Sequence, residues 1–293
     1  MTGPSGPAAA GPSGPAAFVD LHMHSTASDG SRSPAEVVRA AKRASLVAIA
    51  LTDHDTVAGL AEARGVGAEL GVRIVNGVEL SAVEGQTETH LLGLHLRDTT
   101  VLENELAQLR EMRGRRAARI VELLQSQGVQ VTLDDVLLQA GSGAIGRPHV
   151  ARALVADGWA IDVRDAFDRY LGAGRPAFVA KDQLGMREAI AMVHAAGGLA
   201  VLAHPGGGGT RERIEALAAL GLDGVEVKHP SHSPQDVARL RACVDQLGLI
   251  ASGGSDWHGA ADGPRTIGMM HVPIDWLRRQ DERVEALGRA PAA

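Results

Sequence analysis

The chain has a single cysteine, Cys243, in 293 residues, which excludes an intrachain disulfide and any metal site built on thiolates. Cys243 itself reads as a small buried hydrophobe. Aromatic residues make up only 2% of the chain, so a core has to be assembled from Ala, Val, Leu and Ile. No apolar run approaches the length of a membrane span. Positive charge is not in surplus either, with 29 Lys and Arg against 35 Asp and Glu and a formal net charge of -6. That balance gives no electrostatic footprint for tight binding to duplex nucleic acid, but leaves a short nucleotide substrate open. Residues 1–17 repeat Gly-Pro-Ser-Gly-Pro-Ala-Ala without the basic and apolar stretches of a secretory leader. They read as a disordered tail. A cytoplasmic location, no membrane association and no obligate protein partner are the matching expectations.

What is present is a globular composition, 45% hydrophobic and 22% charged, with 36 glycines suited to tight turns. From Phe18 onward, short apolar runs alternate with Ala-rich amphipathic stretches, the pattern of βα units around a parallel sheet. Strands are expected over 17–21, 46–51, 73–80, 90–96, 199–203, 224–227 and 249–253. Ser33-Pro-Ala-Glu36 carries the signature of a helix start, with a capping Ser, a Pro in the first turn and a Glu three residues on. Between Asp98 and Lys181 the alternation stops and helices are expected over 101–127, 133–139, 148–157 and 163–171. The reading is therefore an α/β barrel, 18–97 with 182–293, interrupted by a helical insertion, 98–181, that serves as a substrate lid. Arg110, Arg113, Arg115, Arg116 and Arg119 crowd the first inserted helix, as an ion-paired solvated face or as an attractor for an anionic substrate.

The histidines fall at the ends of expected strands beside carboxylates, where a barrel carries its functional groups. His22 and His24 are two apart on an extended segment, so both side chains point the same way. Asp29 follows in a turn, where it could be a mere turn former. Leu51-Thr-Asp-His-Asp-Thr56 ends an apolar strand with Asp53, His54 and Asp55 in a row. Burying three ionisable groups together costs several kcal/mol unless a cation or hydrogen bonds compensate. Glu79 ends the next strand and His90 begins the one after. Ala203-His-Pro-Gly206 and Gly253-Gly-Ser-Asp-Trp-His-Gly259 complete the set with His204, Asp256 and His258. Imidazole and carboxylate donors without thiolate suit Zn²⁺, Mn²⁺ or Fe²⁺, and so many ligands imply two or three ions sharing a carboxylate.

The blocks Asp20-Leu-His-Met-His-Ser25, Leu51-Thr-Asp-His-Asp55, Ala203-His-Pro205 and Gly254-Ser-Asp-Trp-His258 resemble the signatures of the polymerase and histidinol phosphatase (PHP) family. The resemblance implies a distorted seven-stranded α/β barrel with a metal cluster at one rim. It implies one ion on His22, His24, Glu79 and Asp256, with Glu79 bridging to a second on His90 and His204, and a third ion on Asp29, His54 and His258. Asp20, Asp53 and Asp55 would orient those ligands from behind. Ile145-Gly-Arg-Pro-His-Val150 and Val225-Glu-Val-Lys-His-Pro-Ser-His232 are similar to stretches of nucleotide-hydrolysing members. Arg147 would then clamp a phosphate. His149 would bind phosphate or donate a proton, with His229 and His232 as rivals.

The activity this implies is hydrolysis of a nucleotide phosphomonoester by metal-activated hydroxide, without a covalent phosphoenzyme. The substrate is expected to be a nucleoside monophosphate or a 3′,5′-bisphosphate, extending to short oligoribonucleotides. Histidinol phosphate or a sugar phosphate is the alternative within the same chemistry. From other classes, an amidohydrolase lacks its bridging lysine here, and a non-catalytic metal-binding module does not account for the complete ligand set.

Overall fold

The computed structural model describes residues 17–85, 87–140, 145–179, 184–260 and 265–288. The expected tail, save Ala17, and the expected boundary at 181/182 lie outside the described residues. Strands β1 (Phe18–Asp20), β2 (Ala48–Leu51), β3 (Arg73–Glu84), β4 (Thr87–Leu94), β5 (Leu199–Leu202), β6 (Gly224–Lys228), β7 (Ile250–Gly253) and β8 (Val272–Pro273) form one sheet. Their order is β7-β6-β5-β4-β3-β2-β1-β8. Beyond β1 the chain runs on to meet the continuation of β7: the Leu21 amide donates to the Gly253 carbonyl at 3.1 Å, and Met23 pairs with Trp257 in a parallel bridge. These contacts draw the sheet into a nearly closed barrel.

Two details differ from the sequence reading. An eighth strand exists, because the two-residue β8 pairs antiparallel with the start of β1, and a run this short carries no periodic signal. The sheet is also not uniformly parallel. β4 runs antiparallel to both β3 and β5, since β3 and β4 form a hairpin closed by a turn in which Gly85 has a φ of 61°. Glycine tolerates that left-handed conformation at little steric cost. The reversal puts the start of β4 at the same barrel end as the later part of β3, with His90 opposite Ser81 and Leu92 opposite Glu79.

Strand alternation decides what fills the barrel and what reaches its mouth. Val75, Leu92, Leu94, Leu199, Val201 and Ala203 belong to one buried cluster. Glu79 and His90 share the parity of Val75 and Leu92 on their strands, so the side chains that pack the interior lead directly to ionisable ones at the rim. The opposite strand faces meet the helices: Val78, Leu80, Leu91, Val225 and Val227 pack in a second cluster with residues of α1 (Pro34–Arg43), α2 (Leu60–Leu70), α7 (Met186–Ala195), α8 (Arg211–Ala219) and α9 (Pro234–Leu247). The capping box at α1 is formed, with reciprocal bonds of 3.2 and 2.8 Å between Ser33 and Glu36.

Between β4 and α7 lie α3 (Thr99–Ser126), α4 (Leu133–Ala140), α5 (Arg147–Ala156) and α6 (Val163–Ala166), the last passing into a π turn over Phe167–Leu171. α3 serves two cores. Leu102 and Leu106 pack in the barrel cluster, whereas Ile120, Val121 and Leu124 join Val136, Val150, Leu154 and Leu171 in a separate one. The chain closes with α10 (Ile274–Ala286). Among the described residues no helix is long and apolar enough to cross a membrane.

Candidate metal centre

At the barrel mouth Glu79, 1% exposed, is surrounded by imidazoles. Its Oε2 lies 3.1 Å from His22 Nε2, 3.2 Å from His24 Nε2 and 3.4 Å from His54 Nε2. The other oxygen, Oε1, lies 2.9 Å from both His90 Nδ1 and His204 Nε2. One carboxylate thus faces two groups of nitrogens, the arrangement of a bridging ligand. Asp256 supplies a second shared oxygen, with Oδ1 at 3.4 Å from His22 Nε2 and 3.1 Å from His24 Nε2. Asp29 sits across the mouth, its Oδ1 at 3.4 Å from His258 Nε2 and 3.7 Å from His24 Nδ1.

Three overlapping sets have donor atoms all within 4.8 Å of one another: His22, His24, Glu79 and Asp256; His54, Glu79 and His90; and His24, Asp29, His54 and His258. The nine ligand positions implied by the sequence are therefore all brought to one mouth. The grouping differs from the implied one: His24 and His54 are each shared between two sets, and the His204 ring joins the cluster through Glu79 Oε1. Whether these groups fit cations is tested by their hydrogen bonding. Both ring nitrogens of His24 and Nδ1 of His90 are buried close to carboxylate oxygens, His90 Nδ1 at 2.9 Å from Glu79, yet none is aligned for a hydrogen bond among the described residues, a crowding of polar atoms around a point that suits a shared positive ion.

The electrostatics point the same way. Burial alone would raise the Glu79 carboxyl, but the His22 charge and the bonds from His204, His22 and His24 hold it well below the usual carboxylate range. Burial likewise works to lower His24, yet contacts with Asp256 and Glu79 push it up to about 9. The ion-free cluster is thus a set of anionic oxygens that attract protons where a divalent ion would bind, and ion binding must displace those protons.

The surrounding residues fix this geometry. Asp20 accepts from the amides of Ser255 and Gly268, both at 2.9 Å, tying β1 to the segments on either side of Asp256. Asp53 accepts from Ser25 N, Ser25 Oγ and Ser28 Oγ at 2.6, 2.8 and 2.7 Å, which anchors the loop carrying Asp29. Asp55 accepts from Ser81 N and Oγ at 3.0 and 2.9 Å and pairs with Arg113 at 2.6 Å. Asp55, His204 and Asp256 have φ of 50°, 28° and 50°, a left-handed conformation costing about 1–3 kcal/mol for such residues. That cost is borne where side chains must be aimed.

Sequence reasoning missed Glu226. Fully buried on β6, its Oε1 lies 3.0 Å from His22 Nδ1 and its Oε2 accepts from the His204 amide at 2.8 Å. A carboxylate behind an imidazole fixes the tautomer and makes the facing nitrogen a better donor to a metal. The available signal was a lone Glu in an otherwise apolar strand, Gly224-Val-Glu-Val227. Arg265 was missed as well, and it pairs with Asp256 Oδ2.

Three residues expected to meet substrate already make contacts within the protein. His232 has both ring nitrogens occupied, Nδ1 with the Val227 carbonyl at 2.9 Å and Nε2 accepting from the Gly206 amide at 3.1 Å, so it pins loops and leaves no atom for substrate. His229 is 2% exposed, accepts from the Ser231 amide on Nδ1 and meets Asp256 Oδ2 with Nε2 at 3.2 Å, so it braces Asp256. His149 accepts from the Gly146 amide on Nδ1 at 2.9 Å, and burial together with the Arg152 charge holds it below the ordinary histidine range. A neutral ring with its proton on Nε2 is a hydrogen-bond donor, not a strong acid.

A cavity of about 850 Å³ adjoins the cluster. Its lining includes Asp29, His54 and His90 from the cluster together with Arg113, Arg116, Arg147, His149 and Arg152 from the inserted helices. The arginines of α3 therefore divide. Arg113 and Arg116 face the cavity, whereas Arg115 and Arg119 form exposed pairs with Glu111 and Glu122 on their own helix. Arg110 pairs with Glu103 and donates to the Asp55 carbonyl at 3.2 Å.

A barrel whose rim gathers imidazoles and carboxylates around a bridging glutamate, beside a cavity walled by arginines, defines the class of metal-dependent phosphoesterases. The chain belongs to the PHP domain family, whose model matches residues 20–206. It is 38% identical over 260 residues, 86% of this chain and 91% of the relative, to a 3′,5′-nucleoside bisphosphate phosphatase of Chromobacterium violaceum. With the 5′-3′ exoribonuclease Rnm of Escherichia coli it shares 37% identity over 83% of this chain and 86% of the relative. Among solved structures, a Bifidobacterium adolescentis protein assigned to the metal-dependent phosphoesterases superposes with a TM-score of 0.75 at 35% identity, covering 95% of this chain and 98% of that one.

Proposed function

We propose that the chain hydrolyses a phosphomonoester of a nucleotide, either a nucleoside monophosphate or a nucleoside 3′,5′-bisphosphate, and extends this to short oligoribonucleotides. The observation that carries this reading is the cavity of about 850 Å³ whose lining combines carboxylate and imidazole groups of the cluster with guanidinium groups of the inserted helices. Its size lies within the range of pockets that enclose small organic ligands, about 300–1,000 Å³. Two or three divalent ions, Mn²⁺, Zn²⁺ or Fe²⁺, on His22, His24, Asp29, His54, Glu79, His90, His204, Asp256 and His258 would neutralise phosphoryl charge and activate water when bound.

The chain's own residues position the substrate. Arg147 lies 5.7 Å from the ring centres of both Phe167 and Phe178, and its hydrogen bond to the Leu171 carbonyl is long at 3.5 Å. The guanidinium is thus steered by two rings while its fork is only weakly engaged, which suits bidentate capture of a phosphate. His149, neutral and with its proton on Nε2, would donate a hydrogen bond to the same phosphate. Segment 98–181, carrying these residues, acts as the lid over the barrel mouth. The relatives named as a nucleoside bisphosphate phosphatase and as an exoribonuclease support a nucleotide over histidinol phosphate.

The test is phosphate release with added Mn²⁺ from nucleoside monophosphates, 3′,5′-bisphosphates, histidinol phosphate and sugar phosphates. The expected result is a clear preference for nucleotides that Arg147→Ala weakens mainly through KM. Equal rates across unrelated phosphates would contradict nucleotide recognition. Hydrolysis of amides without phosphate release would overturn the whole reading.

A further inference from the structure

A second cavity, of about 490 Å³, is lined by residues of α1 and of the segments that follow Asp29 and Asp256. Arg32, Arg39 and Arg43 line it together with Trp257 and Gly259, and among the described residues Glu36 alone adds a carboxylate to its wall. All three arginines are exposed, and Arg39 and Arg43, four apart on α1, share one face of that helix. Arg32 is fixed in place by its Nε bond to the Gly259 carbonyl at 3.2 Å, and it lies 3.9 Å from Glu36. The indole of Trp257 is fixed too, through its bond to the Ala260 carbonyl at 2.9 Å. In a chain with a net charge of -6, three guanidiniums against one carboxylate around a concave surface form a local positive site.

Its position relates it to the metal centre. Thr26, Ser28, Asp29 and Gly30 line the larger cavity, and Arg32, two residues on, lines the smaller. On the other side, Trp257 separates Asp256 from His258, both of which face the metal cluster. One loop and one strand end thus present ligand groups inward and a basic groove outward. The two cavities share the loop that runs from Thr26 to Arg32, which brings the groove next to the cluster along the chain.

We propose that the Arg32–Arg39–Arg43 groove is a backbone subsite for the continuing strand of a single-stranded oligoribonucleotide. It takes phosphodiester groups without reading bases, because guanidinium groups attract phosphate charge whatever the sequence. The proposal rests on the nucleotide reading above and extends it from a terminal phosphate to the strand behind it.

The experiment compares 5′-phosphorylated penta-adenylate with adenosine 3′,5′-bisphosphate as substrates of the full chain and of its Arg39→Glu/Arg43→Glu variant, with thermal melting checking that the variant folds. The ratio of kcat/KM for the pentamer to that for the bisphosphate should fall about tenfold in the variant. The salt dependence of the pentamer KM should become shallower, by about 0.7 in logarithmic slope for each phosphate that the variant no longer neutralises. An unchanged ratio in a folded variant overturns the subsite, as does a wild-type chain that hydrolyses the bisphosphate and not the pentamer. A wild-type chain that releases phosphate from sugar phosphates but from neither nucleotide removes the nucleotide reading itself, which separates the two failures.

Discussion

The two ends of the barrel both gather buried histidine and charged side chains, and they differ in how those groups are satisfied. At the end opposite the cluster, His95 Nε2 meets Gln280 Oε1 at 3.1 Å, Gln280 Nε2 donates to the Ala251 carbonyl at 2.9 Å, and Arg73 binds Asp281 through bonds of 2.7 and 2.6 Å. His95, Gln280, Arg73 and Asp281 each have a protein partner, and their network joins α10 to the sheet. At the mouth, imidazoles of His22, His24, His54, His90 and His204 all converge on the two oxygens of Glu79, and the contacts of His24 and of His90 Nδ1 are not aligned as hydrogen bonds among the described residues. Positive φ does not separate the two ends, since His95 has a φ of 60° and Asp256 one of 50°. Imidazoles converging on one point distinguish a site from a structural network.

The largest effect that can break this comparison is at Glu79. Glu79→Gln should lower phosphate release about a thousandfold, because it removes an anion shared by two ion positions, and several kcal/mol of transition-state stabilisation correspond to that factor. His95→Ala should instead cost about 1–3 kcal/mol of stability in denaturant unfolding and leave kcat unchanged. The reverse pattern would mean that the ends had been assigned the wrong way round.

Next in size is Glu226→Gln, which should weaken metal affinity about 10–100-fold by loosening His22 and reducing its basicity. Calorimetric titration with Mn²⁺ reads this directly, and an unchanged affinity would show that Glu226 only fills space. A third expectation concerns pH. Because His24 is raised to about 9 in the ion-free fold, its protonation stabilises that fold fully below its unfolded value near 6.5. That contribution is lost as pH rises through 9. Melting in chelator should therefore fall across this window, and the gain on adding Mn²⁺ should grow with pH as proton competition disappears. A Mn²⁺ increment that shrinks with rising pH would contradict the proton-for-metal exchange.

The smallest expected effects lie on α3. Arg113→Ala should destabilise by about 1–3 kcal/mol, since it leaves a buried Asp55 oxygen without its charged partner. Arg115→Ala, an exposed pair within one helix, should leave the melting temperature unmoved. Equal effects from the two would remove the distinction between cavity-facing and solvated arginines.

Much of this was legible in the sequence, for physical reasons that also mark the limits. His22, His54, Glu79, His204 and Asp256 sit where apolar runs end, and a barrel strand packed on both faces leaves ionisable residues nowhere to go but its rim. The hairpin of β3 and β4 was not legible, because its outer half, from Ser81 to Thr89, is polar and reads as loop while pairing regularly. Glu226 was hidden by alternation: flanked by Val225 and Val227, it looks like an outward polar residue, yet in this sheet the valines face helices and the glutamate faces the barrel interior. His229 and His232 could not be told from substrate ligands by position alone, since only the bonds to Ser231, Gly206 and Val227 show their nitrogens to be occupied.

The central claim is that the barrel mouth is a multi-ion metal centre bridged by Glu79, and metal stoichiometry measured on the purified chain, with and without Glu79→Gln, tests it most directly. The account predicts two or three divalent ions per wild-type chain by elemental analysis after Mn²⁺ loading, and loss of at least one ion in a folded Glu79→Gln variant. A wild-type chain that retains no divalent ion, or a Glu79→Gln variant that retains the full number, would contradict it.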